Sequence, residues 1–193
     1  APEGVKCMRA LAPDLVVTAA FGQILSEELL HIPPMGTINV HASLLPRHRG
    51  AAPINWSILM GETVTGVTTM LTEKGLDTGD ILLTAKEPIA ADDTAGSLHD
   101  RLAGLGARLL CQTLDGFSDG TIRRIPQEHS QATYAPLLKK TDGLIDWSKP
   151  AALIESFIRG MSPWPGAFTF WGSRRLKIFR AGASPAADGA PPG

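Results

Sequence analysis

The run Leu15-Val-Val-Thr-Ala-Ala20 is apolar at nearly every position, with no alternation of polar and apolar side chains. Successive side chains of a strand point to opposite faces, so such a run calls for cover on both faces, as in a parallel sheet flanked by helices. It points to an α/β architecture. A buried strand this near the N-terminus implies neighbouring strands before it. At the other end, residues 183–193 have the Pro/Ala/Gly composition of a linker. An N-terminal half-sheet and a C-terminal module are therefore expected beyond the two ends.

The rest of the chain reads as alternating strands and helices. Ser26 can cap a short helix that stops before Pro33-Pro34. Thr37–His41 is a strand, Pro53–Met60 a helix opened by proline, and Gly66–Leu71 and Ile81–Lys86 two further strands. Thr94 caps a long helix whose leucines keep helical spacing, weakened locally by Gly104 and Gly106. Ile122–Trp147 is irregular and polar, expected to drape over the surface. Ala151–Met161 is an amphipathic helix, and Ala167–Trp171 with Leu176–Arg180 reads as a terminal hairpin.

The chemistry-bearing residues concentrate in two stretches. In Thr37-Ile-Asn-Val-His41, strand periodicity places Asn39 and His41 on one face, at a strand end followed by the proline-closed loop Ser43-Leu-Leu-Pro46. Strand ends are the usual location of sites in open α/β sheets. About thirty residues on, Gly75-Leu-Asp-Thr-Gly-Asp80 offers carboxylates on a glycine-flanked loop. Both polar strand residues could be structural, but in an apolar strand they need partners or lose hydration without recompense. Amide, imidazole and carboxylate suit acyl transfer to an amine. Asn39 supplies an uncharged oxyanion donor, His41 adds a donor and moves protons near neutral pH, and Asp77 orients the imidazole and holds a water that collects the amine proton. Asp80 reads as a supporting group. No obvious nucleophile accompanies them, so direct attack by the amine fits better than an acyl-enzyme.

Other features say less. Arg47-His48-Arg49 is the one tight basic cluster, either a solvated loop tip or a contact for phosphate or carboxylate, and Gly50 beside it suggests close backbone approach. Trp147, Trp164 and Trp171 read as anchors of linker segments, and His31, His99 and His129 as bystanders. The net charge of −1 advertises neither nucleic acid nor membrane. Cys7 and Cys111 have no metal or disulfide spacing, which points to a reducing, cytoplasmic setting. No metal is implied.

Asn39-Val-His-Ala-Ser-Leu-Leu-Pro-Arg-His-Arg-Gly-Ala-Ala-Pro53, followed by Gly75-Leu-Asp-Thr-Gly-Asp80, closely resembles the 10-formyltetrahydrofolate-dependent formyltransferases. Thr133-Tyr-Ala-Pro136, Ile145-Asp-Trp-Ser148 and Pro163-Trp-Pro165 extend the likeness over nearly the whole chain, and it is most similar to members that act on methionyl-tRNA. The resemblance implies a partial Rossmann-like sheet with flanking helices, then a linker and a short hairpin. It implies residues 1–150 as the C-terminal part of the catalytic domain and 151–182 as a helix, a linker and the start of the C-terminal module, with 183–193 a disordered tail.

By the same resemblance, Asn39, His41 and Asp77 are catalytic. Ser43, Leu44, Leu45 and Pro46 contact folate, and Phe21 and Ile24 line the pterin pocket. The co-substrate is 10-formyltetrahydrofolate, the acceptor the α-amine of initiator methionyl-tRNA, and the full-length protein a monomer away from membranes. Two features of the family are not found here: an initial βαβ unit with a Gly-Thr-Pro turn, and a C-terminal barrel that helps hold tRNA. Pro46-Arg-His-Arg-Gly50 with Ile54-Asn-Trp56 is also similar to family members that pass the formyl group to water, and Asn55-Trp56 with Pro163-Trp-Pro-Gly-Ala-Phe168 to those that act on UDP-aminoarabinose. A folate-binding chain without turnover is the third reading.

Overall fold

A computed structural model describes residues 2–184. Of the tail expected over 183–193, residues 185–193 lie outside the described residues. Pro2–Leu11 forms helix α1, an element absent from the expectations above; Glu3 in its first turn and Arg9 in its last complement the helix dipole. Strand β1, Val16–Ala19, follows, then the one-turn helix α2, Glu27–Leu30, capped by the Ser26 hydroxyl as expected.

β1 pairs in parallel with β2, Thr37–His41, placing Thr18 opposite Asn39. After helix α3, Pro53–Leu59, strand β3, Val64–Leu71, runs antiparallel to β2 and sets Thr68 opposite His41. Strand β4, Ile81–Pro88, closes the sheet order β1-β2-β3-β4, again antiparallel. The sheet is therefore mixed. β1 also differs from the strand foreseen. Its exposure alternates, and Val17 is 40% exposed, because the strand lies at the rim of the described sheet with β2 as its one partner there.

Helix α4, Ala95–Ser118, opens with a reciprocal cap between Thr94 and Ser97 and lies across β3 and β4, touching β2. Leu98, Leu102 and Leu109 meet Val67 and Ile58 in one core cluster. Gly106, read above as a weak point, is a packing device. A Cβ there would stand 3.1 Å from Val40 Cγ1, so glycine lets the helix sit close on the strand that carries the site. A second cluster joins Ile158 and Met161 near helix α5, Ala151–Gly160, to Leu138, Ile145 and Ala167. No described helix is long and apolar enough to cross a membrane.

The irregular stretch after α4 lies over the surface as expected, mostly exposed, and is pinned there by backbone pairs. Ile81 and Ile125 exchange two backbone hydrogen bonds, Arg49 N–H donates to Thr133 O, and Ala135 N–H donates to Arg49 O. These bonds tie an otherwise exposed segment to the sheet, with Gln127 and Ala135 as its buried residues. Residues 125–135 thus form a strap from the start of β4 to the loop after β2. The terminal hairpin pairs β5, Ala167–Trp171, with β6, Arg174–Ile178, two residues earlier than expected. Gly172 at φ +58° lets two residues make the turn.

Candidate active site

Period-two alternation in β2 puts Asn39 and His41 on one face, and neighbouring strands fix both. The Thr18 hydroxyl donates to Asn39 Oδ1 at 3.1 Å, leaving the Nδ2 protons of Asn39 as donors. His41 is buried, 6% exposed, and its Nε2 lies 2.9 Å from the carbonyl oxygen of His48. A carbonyl only accepts, so Nε2 carries the proton and the neutral ring keeps a bare Nδ1. Nδ1 faces Asp77 Oδ2 at 3.7 Å. That is beyond hydrogen-bond range, yet close enough for both atoms to address one proton between them.

The loop after β3 delivers Asp77 from a backbone that L residues rarely adopt. Its φ is +50°, in the left-handed region, at a cost of about 1–3 kcal/mol for a non-glycine residue. Three contacts hold it there. Gly50 N–H donates to Asp77 Oδ2 at 2.7 Å, and Gln127 Nε2 donates to Asp77 O at 2.9 Å and to Gly79 O at 2.7 Å. Gly50 itself sits at φ +117°, where a Cβ would come within 2.8 Å of Ala135 O. The close approach expected at this glycine is present.

Gln127, which sequence reasoning passed over, is tied in turn to Arg49. The guanidinium donates to Gln127 Oε1 from Nε at 3.1 Å and Nη2 at 2.6 Å, and from Nη2 to His129 Nδ1 at 3.1 Å. Arg49 is 2% exposed. The basic cluster is thus split: Arg47 is solvated and shares the Glu62 carboxylate with buried His48, and Arg49 is buried against an amide, without a carboxylate. His129, expected to be a bystander, belongs to this network, because the strap brings it back beside Arg49.

The loop after β2 is set by its own bonds. Ser43 Oγ donates to Arg47 O at 2.6 Å, Thr68 Oγ1 donates to Ser43 O at 2.7 Å, and Leu45 N–H donates to Thr68 Oγ1 at 3.2 Å. Ser43 is fully buried, its hydroxyl engaged by the turn; Leu44 and Pro46 are half-buried. Phe21 and Ile24, 51% and 90% exposed, follow β1. Because β1 and β2 run parallel, the chain leaves both strands at the same end of the sheet, beside His41. Asp80 acts through its backbone, its carbonyl accepting from Leu71 N–H.

A cavity of about 400 Å³ lies elsewhere, walled by Trp56, Leu59, Leu144, Leu153 and Phe157. It is apolar and holds none of Asn39, His41 and Asp77. At the strand end, an imidazole and a carboxylate stand 3.7 Å apart, with the Asn39 amide two residues before His41 on the same strand face. Such a set can stabilise an oxyanion and take a proton from an attacking group.

A family model described as formyl transferase matches residues 1–114, and one described as formyl transferase, C-terminal domain, matches residues 137–193. The methionyl-tRNA formyltransferase of Acetivibrio thermocellus is 57% identical over 178 residues, covering 92% of this chain and 57% of that protein. Its namesake from Trichlorobacter lovleyi is 59% identical over 180 residues, covering 93% and 57%. The chain thus spans a little over half the length of these relatives. Among solved structures, HypX from Aquifex aeolicus in complex with tetrahydrofolic acid has a TM-score of 0.79 at 19% identity, covering 98% of this chain and 33% of that one. An N-formyltransferase from Helicobacter canadensis, in complex with folinic acid and dTDP-3-aminofucose, has a TM-score of 0.65 at 25% identity, covering 72% and 52%.

Proposed function

This chain belongs to the formyl transferase family, and from that premise we propose that it moves a formyl group from 10-formyltetrahydrofolate to the α-amine of initiator methionyl-tRNA. The observation that carries the reading is the His41–Asp77 pair at one sheet end, with Asn39 on the same face of β2 and its oxygen committed to Thr18. Residues 1–150 carry the chemistry, and 151–182 begin a C-terminal module. The acceptor is consumed where translation begins, so the reading carries a cytoplasmic location.

The formyl donor lies against Leu44, Leu45 and Pro46, with Ser43 shaping the loop from beneath and Phe21 and Ile24 closing the pterin side. The methionyl amine attacks the formyl carbon directly. Charge develops on the formyl oxygen, and Asn39 Nδ2, aimed by Thr18, donates to it; one such donor is worth about 10²–10³ in rate. The amine becomes acidic as its bond to carbon forms. Its proton passes into the gap between His41 Nδ1 and Asp77 Oδ2, which the fixed tautomer of His41 leaves open. Return of that proton to the folate nitrogen lets the C–N bond break, so protons balance without an outside acid.

A second acceptor, the amine of a nucleotide-linked sugar, is favoured by one observation, the likeness to the Helicobacter canadensis protein. Methionyl-tRNA is preferred because the relatives named for it share more than half of the aligned residues. The test offers the intact protein 10-formyltetrahydrofolate with methionyl-tRNA, an amino-sugar nucleotide or water alone. Formyl-methionyl-tRNA, lost in His41→Ala and Asp77→Ala, is expected; formylation of the sugar alone overturns the choice of acceptor.

A further inference from the structure

We infer that Gln127 is a positioning residue that sets the Asp77 loop for proton transfer, an inference that rests on the formyl-transfer reading above. Asp77 and Gly79 lie on the loop after β3, Arg49 on the loop after β2, and Gln127 on the strap that reaches them after α4. One side-chain amide bridges all three. Its orientation is fully determined, because an arginine only donates and a backbone carbonyl only accepts. Oε1 therefore receives both Arg49 contacts, and the two Nε2 protons go to Asp77 O and Gly79 O.

The two donated bonds fall on the residue at φ +50° and on the glycine two positions later. They hold the carbonyls on one side while Gly50 N–H holds the carboxylate on the other. Gln127 is itself 6% exposed and is fixed by the backbone pairing of Ile125 with Ile81. It touches no reacting atom of the proposed chemistry. Its effect runs through the distance between His41 Nδ1 and Asp77 Oδ2, and a misplacement of about 1 Å in such a pair costs about 10²-fold in rate.

Gln127→Glu separates the two halves of this role. It keeps an acceptor of the same shape for Arg49 and removes both protons from the loop side, turning an oxygen toward two carbonyls. In the intact protein, kcat for formyl transfer is expected to fall by about 10- to 10²-fold, with KM for the folate donor unchanged within about twofold. The pH–rate profile is expected to move, because the His41–Asp77 spacing changes, with rates referred to the folded fraction, since a buried oxygen facing two carbonyls also lowers the melting temperature. A merely structural glutamine would lower stability and leave the profile in place. A kcat within twofold of the parent, or a loss matched by the loss of folded protein, overturns the inference. The unsubstituted protein gives an independent reading by NMR. Slow exchange of the Gln127 side-chain amide protons supports the two bonds, and fast exchange overturns them even if the variant does not fold. His41→Ala and Asp77→Ala run alongside. If they keep full activity, the formyl-transfer reading itself fails, which is distinct from a silent Gln127→Glu.

Discussion

His41 Nδ1 and Asp77 Oδ2 stand 3.7 Å apart, and each is held in place by a backbone group, the His48 carbonyl on the far ring nitrogen and the Gly50 N–H on the carboxylate. Neither partner is positioned by the other. The imidazole is locked into one tautomer from behind, so its free lone pair and the carboxylate oxygen look into the same gap. A strong direct bond would satisfy both groups and leave neither free to take a further proton.

Asp77→Asn keeps an oxygen for Gly50 and removes the negative charge from that gap. Formyl transfer is expected to fall by about 10²- to 10⁴-fold, the range of positioned proton transfer. Single-turnover rates, with folate binding followed by calorimetry, test this. A rate within tenfold of the parent removes Asp77 from the mechanism.

Thr18→Val takes away the hydroxyl that commits Asn39 Oδ1. The Asn39 amide is then free to turn, and kcat is expected to drop by about tenfold, less than the 10²–10³ of Asn39→Ala. In an Asn39→Ala background the Thr18 change should have no further effect. Strictly additive losses in that double-mutant cycle contradict the coupling.

Two glycines predict opposite outcomes. A Cβ at Gly79 would overlap the Leu71 carbonyl oxygen, so Gly79→Ala must displace the Asp77 loop and is expected to abolish activity. Gly104 on α4 has only the end of the Arg108 side chain nearby, at 3.6 Å. Gly104→Ala is expected to stabilise the helix by about 0.5–1 kcal/mol with activity intact. Thermal melts and rates on both variants decide.

The Arg101 fork binds both oxygens of Asp93 at 2.6 and 2.7 Å, and with Ser97 and the Ala90 N–H it holds that carboxyl below its ordinary 3.8, at about 2. The folded carboxyl releases its proton more readily than the unfolded one. Its stabilisation, about 2 kcal/mol at about 1.4 kcal/mol per pH unit, is whole above 3.8 and fades as pH falls through about 2. Asp93→Asn is expected to show this deficit at neutral pH and to converge on the parent in strong acid. Denaturant unfolding at a series of pH values measures it, and a gap constant down to about pH 2 rules the linkage out.

Much of the framework was legible because it rests on local rules. Alternation marked β2, Pro53 marked the start of α3, and Thr94 marked the cap of α4. Asn39 and His41 shared a face because a strand repeats every two residues. The unread parts depend on partners far along the chain. Thr18 matters through its register opposite Asn39, although its place as the polar residue in an apolar run was a signal. Gln127 sits in a stretch with no periodicity, and nothing local pairs it with Asp77, 50 positions earlier. The Arg47–Arg49 cluster misled for the same reason. Whether a charge is solvated or buried is decided by what crosses it, here Glu62 and the strap.

The strap also imposes an order of arrival. The sheet pairs that carry Asn39, His41 and Asp77 are complete once Pro88 has been made, but Gln127 follows Asp77 by 50 residues, on the far side of α4. At about 5–20 residues per second, the 39 residues from Pro88 to Gln127 leave a nascent chain roughly 2–8 s with its strands available and its Asp77 loop unbraced. During synthesis the sheet therefore precedes the strap, and the brace on the Asp77 loop is fitted late.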